Sequence, residues 1–265
     1  MISKNIIHTA YVFLEFLRRD TYIYTRQLRN HIINYSLIYP LLYMFCFAYL
    51  QTEIYFHGQT RIGAIVFSGT CLVPLMAMAF HITFDLLFDL EKNRHIDYQM
   101  MALNPRLIII EQILFSSVFT FLVMLPFFPL ARIFASSYIN LSNISWSSLY
   151  LTLYCGSLCV SAYHKLAATL LTVEKISMFW TRVNYVVLVL GGFWIPLHTI
   201  RSFSPTLGFL LRFNPVVYLT EGLRQSIVGG SDFLPLSQCV IALLILTIIF
   251  TGLACHFFKK RVDHI

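Results

Sequence analysis

The sequence predicts an all-α integral membrane protein: six transmembrane helices, an N-terminal amphipathic interfacial helix and a re-entrant helical hairpin before the last span. Three observations carry this. Apolar residues make up 58% of the 265 residues and charged residues only 12%, against roughly 25% charge in a soluble domain, and mean hydropathy is +0.71. Six apolar stretches approach the roughly 20 residues that a hydrocarbon core of about 30 Å demands. Between the fifth and the last of them the chain breaks into apolar pieces too short to cross alone.

The first element covers residues 1–30. At a helical period of about 100° per residue, Ile2, Ile6, Ala10, Phe13, Leu14 and Leu17 share an arc of roughly 120°, with Lys4, His8, Glu15 and Arg18 opposite. This predicts an amphipathic helix in the inner membrane surface, its cluster Arg18, Arg19, Arg26 and Arg29 suited to lipid headgroups. Packing on a soluble partner is the alternative. Glu15, Arg18 and Arg19 interrupt the apolar run and no small-residue cleavage site follows, so it is not a signal peptide.

The spans are expected over 32–49, 62–88, 107–134, 146–166, 183–200 and 240–258. The second and third are long and would tilt or project into water. Short loops join them without a Ser/Gly-rich linker, so residues 1–265 form a single membrane domain. Placing the N-terminus inside puts Lys4, Arg18, Arg19, Arg26, Arg29, Lys92, Arg94, Arg106, Lys175, Arg182, Lys259, Lys260 and Arg261 in the cytoplasm. Only Arg61, Arg132, Arg201, Arg212 and Arg224 are then outside, and the positive-inside rule favours that orientation, with both termini cytoplasmic in a cell (inner) membrane. Lys165 is expected to snorkel at an inner span end beside His164, both as interfacial anchors.

Polar residues inside spans have plain readings. His81, Asp85 and Asp89 recur on one helix face near the inner end of the second span, but no second cluster completes a metal shell. Few ionisable residues are expected at depth. Cys46, Cys71, Cys155, Cys159, Cys239 and Cys255 lie in apolar stretches with no C-x-x-C, and read as reduced packing residues. Trp146 and Trp194 suit interface belts. The basic excess, 19 Lys plus Arg against 12 Asp plus Glu, is orientation information, and no nucleic-acid partner is implied.

Two segments are informative about function. Residues 89–105, with Glu91, Lys92, Arg94, Asp97 and Tyr98, form the most polar internal stretch and end at Asn104-Pro105, which stops a helix near Leu103. A short helix with mixed charge and Tyr98, Met100 and Met101 exposed would be a docking knob for a soluble subunit; a solvated loop is the alternative. Residues 197–236 form the re-entrant region. Gly191-Gly192 and Pro196 loosen the chain, as a gate or as a packing kink. Asn214 can then cap a helix with Pro215 at its first position, and Glu221 and Arg224, three apart on it, can pair.

This arrangement resembles the type-2 ABC exporter permeases. The resemblance rests on Gly192 to Pro196, on Asn214, Pro215, Tyr218, Glu221 and Arg224 ahead of a final span, and more loosely on Arg94 to Pro105. It implies a dimer of six-helix subunits, of two identical copies or with a related permease, in contact with membrane lipid. It also implies a cytoplasmic ABC ATPase partner that holds ATP and Mg, this chain binding no cofactor and no metal of its own. Residues 91–103 would be the coupling helix. The absence of a Gly-x-x-x-x-Gly-Lys-Ser/Thr loop agrees with a non-enzymatic subunit. The substrate would be amphiphilic, a lipid-linked polysaccharide or a drug, exported by alternating access. An ion-coupled secondary transporter and a membrane assembly subunit without transport are the alternatives.

Overall fold

The computed structural model describes residues 2–43, 45–46, 60–93, 95–135, 141 and 144–262. Among these, all regular structure is helical. Helix α1, Ile2–Thr25, is followed by α2, which runs through Leu28–His31, a wider π-helical stretch Ile32–Ile38, and Tyr39–Tyr43. Along one face of α2 the rings of His31, Tyr35, Tyr39 and Tyr43 stack in a column about the loosened stretch. Helix α3 comprises Thr60–Thr70, Leu72–Phe88 and a π turn Asp89–Asn93. It leads into the short α4, His95–Met100.

Asn104 ends the turn that follows and caps α5, Pro105–Met124 with its continuation Phe127–Ala135. Then come α6, Trp146–Leu170, and α7, which joins Val173–Phe179, Trp180–Asn184 and Tyr185–Val189. Three short helices follow: α8, Leu197–Phe203; α9, Pro205–Leu210, with a 3-10 turn Leu211–Phe213; and α10, Pro215–Ile227. Helix α11, Leu236–Val262, completes the chain.

Three described helices are long and apolar enough to cross a membrane, Gly63–Lys92, Pro105–Phe134 and Leu236–Val262. The first two are interior, 78% and 67% buried over their apolar windows, while the last is only 17% buried and turns Ile241, Ile245 and Ile248 outward. Helix α6 is as long, yet its buried face is small and polar, with Thr152, Ser157, Ser161, His164 and Lys165, which lowers its hydropathy. It is the hub, packed against α3, α5, α10 and α11.

Three expectations need correction. The helix that covers the expected fifth span, 183–200, begins earlier, at Val173, and ends at Val189. Residues 190–196 are not helical, because Gly192 takes φ +79 and Pro196 can only begin a new helix, α8. Lys165 does not snorkel and His164 is no surface anchor, since both are fully buried. Lys165 Nζ donates to the Ile82 carbonyl at 3.1 Å, and the Asn184 amide lies 3.0 Å from His164 Nε2. Finally, more ionisable side chains are buried in the protein than expected: Glu111 and Lys165 within expected spans, and Asp20, Glu221 and Arg224 outside them. Residues 47–59, at the end of the expected first span and in the connection to the second, lie outside the described residues.

Candidate functional site

Two polar constellations stand out, one around the break before α8 and one at the end of α3. The break is the more demanding physically. Backbone groups freed from a helix at membrane depth must find partners inside the protein, and α10 supplies them from one row of side chains.

Asn214 adopts an extended conformation, with φ −83 and ψ 117, and caps α10 by accepting from Val216 N. Its amide nitrogen donates to the Val187 carbonyl, at the end of α7, at 2.7 Å. Pro215 occupies the first helical position, where a missing N–H costs nothing. Tyr218 Oη donates to the Arg212 carbonyl at 2.8 Å and locks the preceding turn. Thr220 Oγ1 donates to the Gly191 carbonyl at 2.7 Å. Arg224 binds the Gly192 and Phe193 carbonyls through Nη2 and the Ile65 carbonyl of α3 through Nε.

Glu221 balances that charge. Its Oε1 accepts from Arg224 Nη1 at 3.2 Å and from the Leu197 N–H, in the first turn of α8, at 3.0 Å. The side chains of the pair are 0% and 2% exposed. A buried pair survives only when such extra hydrogen bonds satisfy its remaining donors and acceptors, and here nearly every bond goes to freed backbone. Two glycines admit the arrangement: Gly192 by its left-handed φ, and Gly69 of α3 because a Cβ there would collide with the Phe193 carbonyl oxygen. The residues of the signature therefore converge on one place. Thr220, Gly69 and the Ile65 carbonyl belong with them and have no motif of their own; the only signal was that Thr220 lies on the same helix face as Glu221 and Arg224.

The second constellation surrounds residues 89–103. Ile96, Gln99 and Leu103 are buried, whereas Tyr98 and Met101 are 71% and 83% exposed. Helix α4 is thus two-faced, its inner side joined to a core that includes Leu87, Ile108, Ile176 and Phe258. Lys92 and His95 are exposed and Asp97 is half-buried, while Arg94 lies outside the described residues. Glu91, expected among the docking charges, faces inward: Oε2 accepts from the Val173 N–H at 2.9 Å, and Oε1 is paired with Arg261.

Helix α1 holds the same region from its other side. Asp20 accepts from Arg19 and from the Gln112 amide of α5. Turning the Gln99 amide oxygen towards Arg19 lets it accept from that guanidinium, at 2.6 and 3.2 Å. Tyr24 Oη donates to Asp85, and burial, then the Asp85 carboxylate, push its phenol above the usual range. These groups line a cavity of about 690 Å³ between α1, the end of α3, α4 and α5. Among the described residues no group of three or more His, Cys, Asp and Glu is placed to hold a metal ion, and Asp85 is engaged with Tyr24.

No curated protein and no solved structure matches the chain. Residues 7–228 match the model of one family, the ABC-2 type transporter. That span runs from α1 through the two-faced segment, the hub helix and the whole signature to the end of α10. The chain belongs to the ABC-2 type transporter family, as a transmembrane permease component.

Proposed function

We propose that this chain is the membrane subunit of an ATP-driven exporter that moves an amphiphilic substrate out of the cytoplasm or the inner leaflet. Two permeases, identical or related, face each other and each docks a cytoplasmic ABC ATPase that holds ATP and Mg. Six helical segments cross the inner membrane, with both termini cytoplasmic, and residues 197–236 enter from the outer side and return. The transport path opens alternately at the interface between the two permeases.

One observation carries the docking assignment. At the end of the buried helix α3, α4 and the turn after it present Tyr98 and Met101 almost fully to solvent while Ile96, Gln99 and Leu103 anchor them beneath. An exposed aromatic on a rigid base suits an interface anchor, and truncating such an anchor costs about 2 kcal/mol or more. Lys92 and Asp97 would contribute rim charges, which affect encounter more than affinity. Arg94 is assigned to the same rim by its sequence position.

The test compares Tyr98→Ala with Phe203→Ala, a 85% exposed aromatic of α8, in co-purification with the ATPase subunit and in stimulated ATP hydrolysis. Tyr98→Ala should reduce partner retention by about thirtyfold or more, the equivalent of that energy, and Phe203→Ala should not. Equal retention in both would remove the docking assignment.

A further inference from the structure

The exporter reading gives the two-faced segment a docking role, but it does not say how movement there reaches the rest of the subunit. Arg261, in the last turn of α11, suggests an answer. Its Nη1 donates to the carbonyls of Ala168 and Leu171 at the C-terminal end of α6, at 2.5 and 2.8 Å. Its Nη2 pairs with Glu91 of the α3 π turn. Glu91 in turn accepts from the Val173 N–H that opens α7. One ion pair therefore joins the ends of four helices that meet at Leu171-Thr172.

The polarity of the helix ends suits this pair. The last carbonyls of α6 lack helical partners and attract a cation; the first N–H groups of α7 lack them too and attract a carboxylate. Arg261 and Glu91 serve one end each and then neutralise each other. The side chains are only 19% and 24% exposed, so the contact is less screened by salt than a surface pair. A guanidinium with three bonds in a fixed fork also sets an orientation, which a lysine ammonium would not. Beneath it, Phe258 and Ala254 of α11 share a core with Ile96, Leu103 and Ile176, so apolar packing and the ion pair constrain the same joint.

We propose that Arg261 is a transmission residue: through Glu91 it clamps the docking segment, the α6–α7 turn and the last helix into one rigid body, so that movement of the docking segment is passed to α6, α7 and α11 together. The clamp is distinct from docking, because Tyr98 is exposed to solvent while Glu91 and Arg261 are mostly buried and paired with each other. The inference rests on the exporter reading. It separates two properties that a purely docking role would lose together, namely partner binding and the response of the membrane helices to nucleotide.

The experiment uses the full complex in lipid nanodiscs, formed with the ATPase subunit that co-purifies with the tagged wild-type chain. The variants are Arg261→Ala, Arg261→Lys, Glu91→Gln, the reciprocal exchange Glu91→Arg with Arg261→Glu, and Lys259→Ala, an exposed neighbour on the same tail. Three quantities are measured: ATPase retained, ATP hydrolysis, and the labelling rate of a cysteine placed at Ser202 with and without ADP-vanadate. Arg261→Ala should keep partner retention within twofold of wild type yet lose at least fivefold of stimulated hydrolysis and the nucleotide-dependent change in labelling. Arg261→Lys should be intermediate, and the exchange should recover part of the response. A wild-type response in Arg261→Ala overturns the proposal. So does loss of partner and of folded protein in Arg261→Ala, Arg261→Lys and Glu91→Gln alike without recovery by the exchange, which would make the pair a stabilising contact only. If wild type itself binds no ATPase and shows no nucleotide response, the exporter reading fails and the clamp falls with it.

Discussion

At the scale of single residues, the consequential side chain is Arg224. It is buried with Glu221, and removing one member of such a pair strands the other charge, at a cost of about 3–5 kcal/mol. Arg224→Ala and Glu221→Ala should each sharply reduce the folded fraction in detergent by fluorescence size exclusion. Asn214→Ala should cost less, about 1 kcal/mol for the cap, with something further for the Val187 carbonyl it leaves unpaired. A ranking in which Asn214→Ala is the most damaging would refute this allocation. The cap and the pairing were legible in the sequence because both are local: Asn214-Pro215 and an i, i+3 pair need only helix geometry. What they bind was not legible. The Ile65 and Gly192 carbonyls stand 159 and 32 residues away from Arg224, and no spacing rule encodes such contacts. Lys165 was misplaced for a related reason. A lysine near a span end usually reaches water, but α6 is enclosed by four other helices, and Lys165 Nζ donates instead to the Ile82 carbonyl of α3.

At the scale of elements, α1 shows what periodicity can and cannot tell. The apolar arc was readable at 100° per residue, but an arc does not say which apolar medium it faces. Phe13 and Leu17 of the arc, together with Val12 and Phe16 outside it, pack on the helical cores. Ile7 and Leu14 are 67% and 59% exposed. The helix is wedged, one flank on protein and another apolar flank open, while Glu15, His8 and Arg19 form a polar strip roughly 90–130° round the helix from the open flank. If that flank lies in the lipid interface, a spin label at Leu14→Cys in membranes should be more accessible to oxygen than to an aqueous nickel chelate. A label at His8→Cys should show the opposite preference. Equal, water-like accessibility at both positions would favour a soluble partner for this helix over a bilayer. The α7 break is the complementary case: Gly191, Gly192 and Pro196 announced an interruption, yet not that helix would cease entirely over residues 190–196. Continuous apolar composition conceals a break whose backbone is satisfied by another element.

At the scale of the whole molecule, whether α7 crosses the membrane decides the architecture. At about 1.5 Å per residue, Val173–Val189 spans roughly 25 Å, slightly less than a hydrocarbon core of about 30 Å. In the six-span reading proposed above, the non-helical residues 190–196 would complete the passage, at up to about 3.3 Å each. They can do so only because Gly191, Gly192 and Phe193 are buried and their carbonyls are bound by Thr220 and Arg224. The same side chains that satisfy the break therefore determine whether the chain changes sides. Lys175 and Phe203, both exposed and separated by this passage, report on it directly. With a membrane-impermeant maleimide on inside-out vesicles and on intact cells, Lys175→Cys should react only from the cytoplasmic side and Phe203→Cys only from the outer side. Reaction of both from one face would mean that α7 and α8 form a returning hairpin, removing the fifth crossing and reversing the position of α11 and of its Arg261. Opposite faces would make α10 the structural plug that allows a helix too short for the bilayer to cross it.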